Sequence, residues 1–262
     1  SLHRRLMLGL GASLLSPYVG EGYSNTKSYD GDLTFTNGVN TNYDPQTLLR
    51  SSHSFSVWLK PDDGIPSQLQ TIFGMTNSTT NLSYMTIGTD GRLGHYLYSN
   101  GSGSGYISLP STDAAVFTNG AQSDFTHIVV VQDYSGSNVE ITFYVNGSSV
   151  AHSYLANFKV TVANAQQFSS AGTQMAIDGY GRDDSPWRII GGFDGLIDEF
   201  AAFTKALSAS EVLDIYNSGT PKDESGHDGL ELYYRFEDDL TDTAGTSDGS
   251  AEGTVTFSST TP

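Results

Sequence analysis

The chain has no cysteine, so disulfides, thiolate nucleophiles and cysteine–zinc sites are excluded, and stability has to come from packing or a bound cation. No apolar run is long enough to cross a membrane; the longest candidate, Leu6–Leu15, is short and broken by glycine. Basic residues are scarce, with 12 Lys and Arg against 29 Asp and Glu and a net charge of −17. So acidic a body repels phosphates, which argues against nucleic acid as a partner. The six histidines (His3, His53, His95, His127, His152, His227) lack metalloprotease spacing, and neither a phosphate loop nor a dinucleotide fingerprint occurs.

What is present reads as one large all-β domain. The 262 residues include 15 Tyr and 13 Phe, enough aromatic bulk for a sizeable core. Asp-Gly occurs seven times and Asn-Gly four times, dipeptides that favour the positive φ of tight hairpins. Between them lie runs of period-2 alternation. In "VEITFYV" Val139, Ile141, Phe143 and Val145 share a face, and in "SFSVWLK" Phe55, Val57 and Leu59 do. "LELYYRF" groups Leu230, Leu232, Tyr234 and Phe236 in the same way, while "HIVVVQD" is apolar throughout, as a strand covered on both faces requires. One segment is helical: "KALSASEVLDIYNSG" has Ser208 and Glu211 in capping-box spacing, a stripe of Val212, Leu213, Ile215 and Tyr216, and a stop at Gly219.

The stretch "GGFDGLIDEFAAFTKALSASEVLDIYNSG" resembles the late signature of laminin-G-like, concanavalin A-like lectin/glucanase jelly rolls, of the type seen in marine phage and bacterial structural or surface proteins. The matching residues are Phe193, Gly195, Ile197, Asp198, Glu199, Ala206, Leu207, Ser208 and Glu211. "SFSVWLKPDD", "IGTDGRLGHYL" and "FTHIVVVQD" with "ITFYVNGSSVA" follow in family order, Phe125 standing where the family has Trp. The resemblance implies an all-β, concanavalin A-like (laminin-G-like) jelly-roll β-sandwich with one short helix. It divides the chain into an N-terminal arm, residues 1–24, and a jelly roll over residues 25–262, in which residues 228–258 supply strands completing the same sandwich beside the early strands.

This fold hosts lectins and glucanases alike, so catalysis has to be read from the residues. A retaining glycosidase needs two carboxylates about 5–5.5 Å apart, which the glucanases of this superfamily place on one strand as E-x-D-x-E or E-x-D-x-x-E. Neither pattern occurs; Asp198 and Glu199 are adjacent, point in opposite directions on an ideal strand, and read as structural. No enzyme activity is expected. The resemblance also brings calcium, which wants clustered carboxylates at loops. The best combined set is Asp178, Asp183 and Asp184, with "YDGD" and "FDGLIDE" as further candidates, although for any one of them taken singly the favoured reading is turn chemistry, Asp before Gly. For a glycan, Trp187 with Arg182 in "GRDDSPWR" is the leading candidate, or else a plug at the end of the sandwich; Tyr96, Tyr98 and Tyr106 are next. The sequons at Asn77, Asn81, Asn100 and Asn146 reflect Asn/Ser-rich composition.

Two function classes remain: a virion structural or attachment protein (capsid decoration, tail or fibre), and a secreted or cell-surface carbohydrate-binding lectin. "HRRLMLGLGASLL" has the form of a secretory signal, but its charge opposes that of the body, which favours a docking arm. In that reading Leu6, Met7, Leu8 and Leu10 anchor while Arg4 and Arg5 face an acidic neighbour, another virion subunit or a second copy in a homo-oligomer. The expectation is therefore a virion protein with surface-glycan binding as an added role, and the lectin as the alternative.

Overall fold

The computed structural model describes residues 25–31, 37–77, 81–99, 106–154, 159–182 and 188–262, with the backbone alone at 106–108 and 188–190. The alternating segments resolve into two sheets, numbered here along the chain. The first contains β1 (Ser28–Gly31), β3 (His53–Pro61), β9 (Thr126–Asp133), β10 (Glu140–Val145), β11 (Ser148–Val150), β16 (Gly195–Phe203), β17 (Leu230–Tyr234) and β19 (Thr256–Ser258). The second contains β2 (Gly38–Asn40), β4 (Gln70–Thr76), β5 (Asn81–Ile87), β6 (Leu93–Ser99), β7 (Tyr106–Ser108), β8 (Pro110–Thr112), β12 (His152–Tyr154), β13 (Ala176–Ile177), β14 (Tyr180–Arg182), β15 (Arg188–Ile190) and β18 (Ser250–Glu252). Neighbouring strands run antiparallel except β14 beside β4. The sandwich expected from the sequence is the fold observed.

The interior is aromatic. Phe55 on β3, Phe73 on β4 and Phe200 on β16 meet at centroid distances of 4.8, 5.1 and 6.2 Å, joining the two sheets. A second apolar cluster covers the outer face of the first sheet, where helix α2 (Ala209–Tyr216) lays Val212 and Ile215 over Val129, Val131, Ala201, Phe203 and Tyr233. The helix explains the unbroken apolar run of β9: Ile128 and Val130 face the interior while Val129 and Val131 face α2.

Local signals place α2 with two corrections. Ser208 Oγ accepts from the Glu211 N–H at 3.3 Å, and the Ser208 N–H donates to Glu211 Oε2 at 2.8 Å, completing the expected capping box. Leu213, however, is 57% exposed, off the buried stripe. The helix also stops before Gly219, because Asn217 takes up the left-handed conformation at φ +45°. A further helical turn, α1 (Val162–Ala165), capped by Thr161, was not legible from periodicity.

The acidic last segment contributes to both sheets. β19 pairs with β1 and β18 with β2, both early strands, whereas β17 lies beside the late strand β16. A register shift between Ala202 and Phe203 sends Leu230 to the helix side, so only Leu232, Tyr234 and Phe236 of the expected face reach the interior. β16 itself changes partner midway: Gly195–Ile197 pair with β1 and Phe200–Phe203 with β17. The bulge between these stretches holds Asp198 and Glu199, the latter at φ +48°.

Candidate functional site

On β5 and β6, Met85, Ile87, Leu93, His95 and Leu97 turn inward, so Tyr84, Thr86, Gly94, Tyr96 and Tyr98, alternating with them, turn outward. The register sets Tyr84 opposite Tyr96 and Leu82 opposite Tyr98 on that outer face, all half-buried. The Tyr84 and Tyr96 rings stack at 4.6 Å with 14° between planes. A third ring, Tyr180 of β14, stacks on the other side of Tyr84 at 5.0 Å and 18°. Gly74 makes this possible. It pairs with Tyr84 on β4, and a Cβ there would lie 2.3 Å from the Tyr84 Cβ. The next residue along, Met75, pairs with Gly181, so Tyr180 stands level with the bare position and its ring crosses β4. Arg182, two residues further along β14, shares this face, half-buried opposite Thr76.

Burial, with the neighbouring Tyr96 and Tyr180, holds the Tyr84 hydroxyl above the ordinary tyrosine range, so it stays protonated and able to donate. Beside Tyr96 the sheet dips into a pocket of about 200 Å³, lined by Thr86, Gly94, Pro110 and Ser111, the Gly88–Arg92 turn and Leu69. Leu69 is one of two large apolar side chains left well exposed among the described residues, at 44%. Arg92 Nε lies 3.3 Å from Asp90 Oδ2, and Asp90 Oδ1 accepts from the Arg92 N–H. Stacked aromatics, an apolar rim and a few convergent polar groups form a site able to hold a polar, ring-shaped ligand.

Three of the four ligand-binding residues read from the sequence (Tyr96, Tyr98 and Arg182) thus share one face. Trp187 lies outside the described residues, as does the Tyr106 side chain. Tyr84 and Tyr180 were missed. Alternation with Met85 could have flagged Tyr84; nothing local could have brought in Tyr180, whose strand pairs across the sheet.

Of the expected metal ligands, Asp183 and Asp184 lie outside the described residues. Asp178 is fully buried, accepting from Tyr29 Oη at 2.8 Å and the Phe193 N–H at 2.6 Å. It ties β1 to the loop before β16 and faces the interior, away from a solvent-accessible loop site. Among the described residues no three His, Cys, Asp or Glu side chains converge as metal ligands.

The bulge in β16 corrects the expectation for Asp198 and Glu199. Instead of diverging, both carboxylates meet the Asn25 amide, whose Nδ2 lies 3.2 Å from Asp198 Oδ2 and 3.0 Å from Glu199 Oε1. Tyr233 Oη donates to Glu199 as well. Asp198 is sealed from solvent, and desolvation together with the adjacent Glu199 holds its carboxyl well above the usual range. The pair acts as a clamp where β1, β16 and β17 meet. His127 is buried against Trp58 at 4.9 Å and Tyr216 at 5.8 Å with its Nε2 on Ser56, a packing role. Asn77 and Asn81 are buried, and Asn77 Nδ2 donates to the Ser169 carbonyl. Arg4, Arg5, Leu6, Met7, Leu8 and Leu10 lie outside the described residues.

A family profile described as the concanavalin A-like lectin/glucanases superfamily matches residues 30–213. No curated protein matches the sequence. Among solved structures, a candidate carbohydrate-binding protein from Bacteroides ovatus aligns at 17% identity and TM-score 0.59, over 90% of this chain and 60% of that one. The CBM40 domain of the Ruminococcus gnavus IT-sialidase aligns at 14% identity and TM-score 0.50, over 72% of this chain and 97% of the domain. These are likenesses of fold. The chain spans about three fifths of the length of the Bacteroides protein.

Proposed function

The chain belongs to the laminin-G-like branch of the concanavalin A-like lectin/glucanase superfamily, and on that premise we propose that it is a non-catalytic glycan-binding domain whose sugar-facing surface is the tyrosine-bearing face of the second sheet. The observation that carries this reading is the stack of Tyr96, Tyr84 and Tyr180 beside a largely apolar pocket that carries a few polar groups. Sugars offer hydroxyls to hydrogen-bonding groups and C–H faces to aromatic rings, and this face supplies both. The fold neighbours described as carbohydrate-binding support the same class. The absence of catalysis is supported by the engagement of Asp198 and Glu199 in the clamp. Glycan recognition implies an extracellular or cell-surface setting, and no described helix is long and apolar enough to cross a membrane. The virion reading rested on residues 1–24, and no feature of the described residues favours it.

A glycan array probed with the wild-type protein and with Tyr84→Ala and Tyr96→Ala tests the proposal. Wild-type signal on a defined glycan set is expected, with a loss of roughly tenfold or more in Tyr96→Ala, as for removal of an aromatic contact, and a similar loss in Tyr84→Ala, which removes the ring against which Tyr96 stacks. Thermal melts establish that the variants remain folded. A wild-type protein that binds no glycan overturns the reading.

A further inference from the structure

Resting on the glycan-binding reading, we infer that the pocket beside Tyr96 is a terminal-residue subsite that captures one neutral pyranose end-on through two adjacent hydroxyls. Ring geometry comes first. The inner faces of Tyr96, Tyr84 and Tyr180 are turned to one another at 4.6 and 5.0 Å with near-parallel planes. A glycan chain laid along the row would therefore meet ring edges and hydroxyls. The row ends at Tyr96, with Tyr84 on the β5 side of β6 and Pro110 and Ser111 of the pocket on the β8 side. Tyr96 thus offers the pocket the ring face that Tyr84 leaves open, the surface a pyranose C–H face needs.

Size limits the occupant. The pocket holds about 200 Å³, below the roughly 300–1,000 Å³ of drug-sized ligand sites, room for about one sugar ring. Two glycines keep this volume open. A Cβ at Gly94 would lie 2.9 Å from Thr86 Oγ1, and one at Gly88 would lie 2.8 Å from Asp90 Oδ1.

The polar lining selects the chemistry. Asp90 takes Arg92 Nε and the Arg92 N–H on its two oxygens, and each oxygen keeps a further lone pair. The terminal nitrogens of Arg92 have no hydrogen-bond partner among the described residues, and both side chains are about half exposed. Such an exposed pair adapts readily to a ligand. It sets acceptor and donors side by side, complementary to two neighbouring hydroxyls, each of which donates and accepts. Ser111 and Thr86 add hydroxyls to the same pocket. A sugar carboxylate is disfavoured, since Asp90 already neutralises Arg92 and the chain carries a net charge of −17.

The test takes the glycans bound on the array and titrates each, calorimetrically, alongside the methyl glycoside of its terminal residue and the same glycan extended by one residue at the non-reducing end. The inference expects hits to share a neutral terminal residue, the methyl glycoside to compete, and the extension to weaken binding tenfold or more. Asp90→Asn and Arg92→Gln should each cost a similar factor; Arg92→Gln, at an exposed position, serves if Asp90→Asn disturbs the turn. Hits that share an internal motif whatever their end, best hits ending in an acidic sugar, or full affinity in a folded Arg92→Gln would each overturn the subsite while leaving glycan binding intact. Absence of any array hit would instead overturn the reading on which the inference rests.

Discussion

Single residues carry much of this surface. Gly74 sits at φ +150°, and a side chain there would strike the Tyr84 Cβ and Ser83 carbonyl. Gly74→Ala is therefore expected to lower the melting temperature and to part Tyr180 from Tyr84, weakening glycan binding more than a stability change alone would; near-ultraviolet circular dichroism reports the ring rearrangement. Tyr233 is a second decisive residue, its hydroxyl donating to buried Glu199. Tyr233→Phe leaves that carboxylate short of a donor, and urea titration should read a loss of about 1–3 kcal/mol. The sequence named Asp198 and Glu199 as structural, and that holds. Their convergence on Asn25 was illegible, because period-2 alternation assumes an unbroken strand and the left-handed Glu199 breaks it.

At the scale of elements, α2 shows which local signals survive folding. Its capping box depends on residues three apart and was legible; its buried face was legible except at Leu213, which the geometry of the first sheet leaves in solvent. Ser208→Ala should cost about 0.5–2 kcal/mol in equilibrium unfolding, a cost concentrated in the cap since Ser208 itself is exposed. A larger effect would mean that the helix also sets the packing over Tyr233. β16 is the opposite case. Its stretch carried the family signature, yet its exchange of β1 for β17 as partner is set by residues far apart in the chain.

For the whole molecule, buried ionisable groups predict how stability varies with pH. Desolvation pushes His53 down to about 4 and His95 and His127 to about 3, from an ordinary value of 6.5. All three are neutral in the fold and gain protons more readily once unfolded, so stability is lost as the pH falls from 6.5 toward 3. Burial holds Asp198 high and pushes Glu224 up to about 8, so both favour the protonated form in the fold. Their contribution is complete below the ordinary carboxylate range, near 4.5, and is lost as the pH rises toward 8. The midpoint of urea unfolding measured from pH 3 to 9 should peak between about 4.5 and 6.5. A midpoint still climbing at pH 8 would contradict the burial of Glu224.

The sequence by itself determined the fold class, the capping of α2 and the two-sided burial of β9, because alternation, capping spacing and turn dipeptides act over a few residues. It also identified Tyr96, Tyr98 and Arg182 as candidate contacts for a sugar. Only the tertiary structure decided that Tyr180 joins Tyr84 and Tyr96, that Asp178 faces the interior, and that β17 lies beside β16. Each of these depends on which strands become neighbours, a choice made by the global burial of aromatic faces.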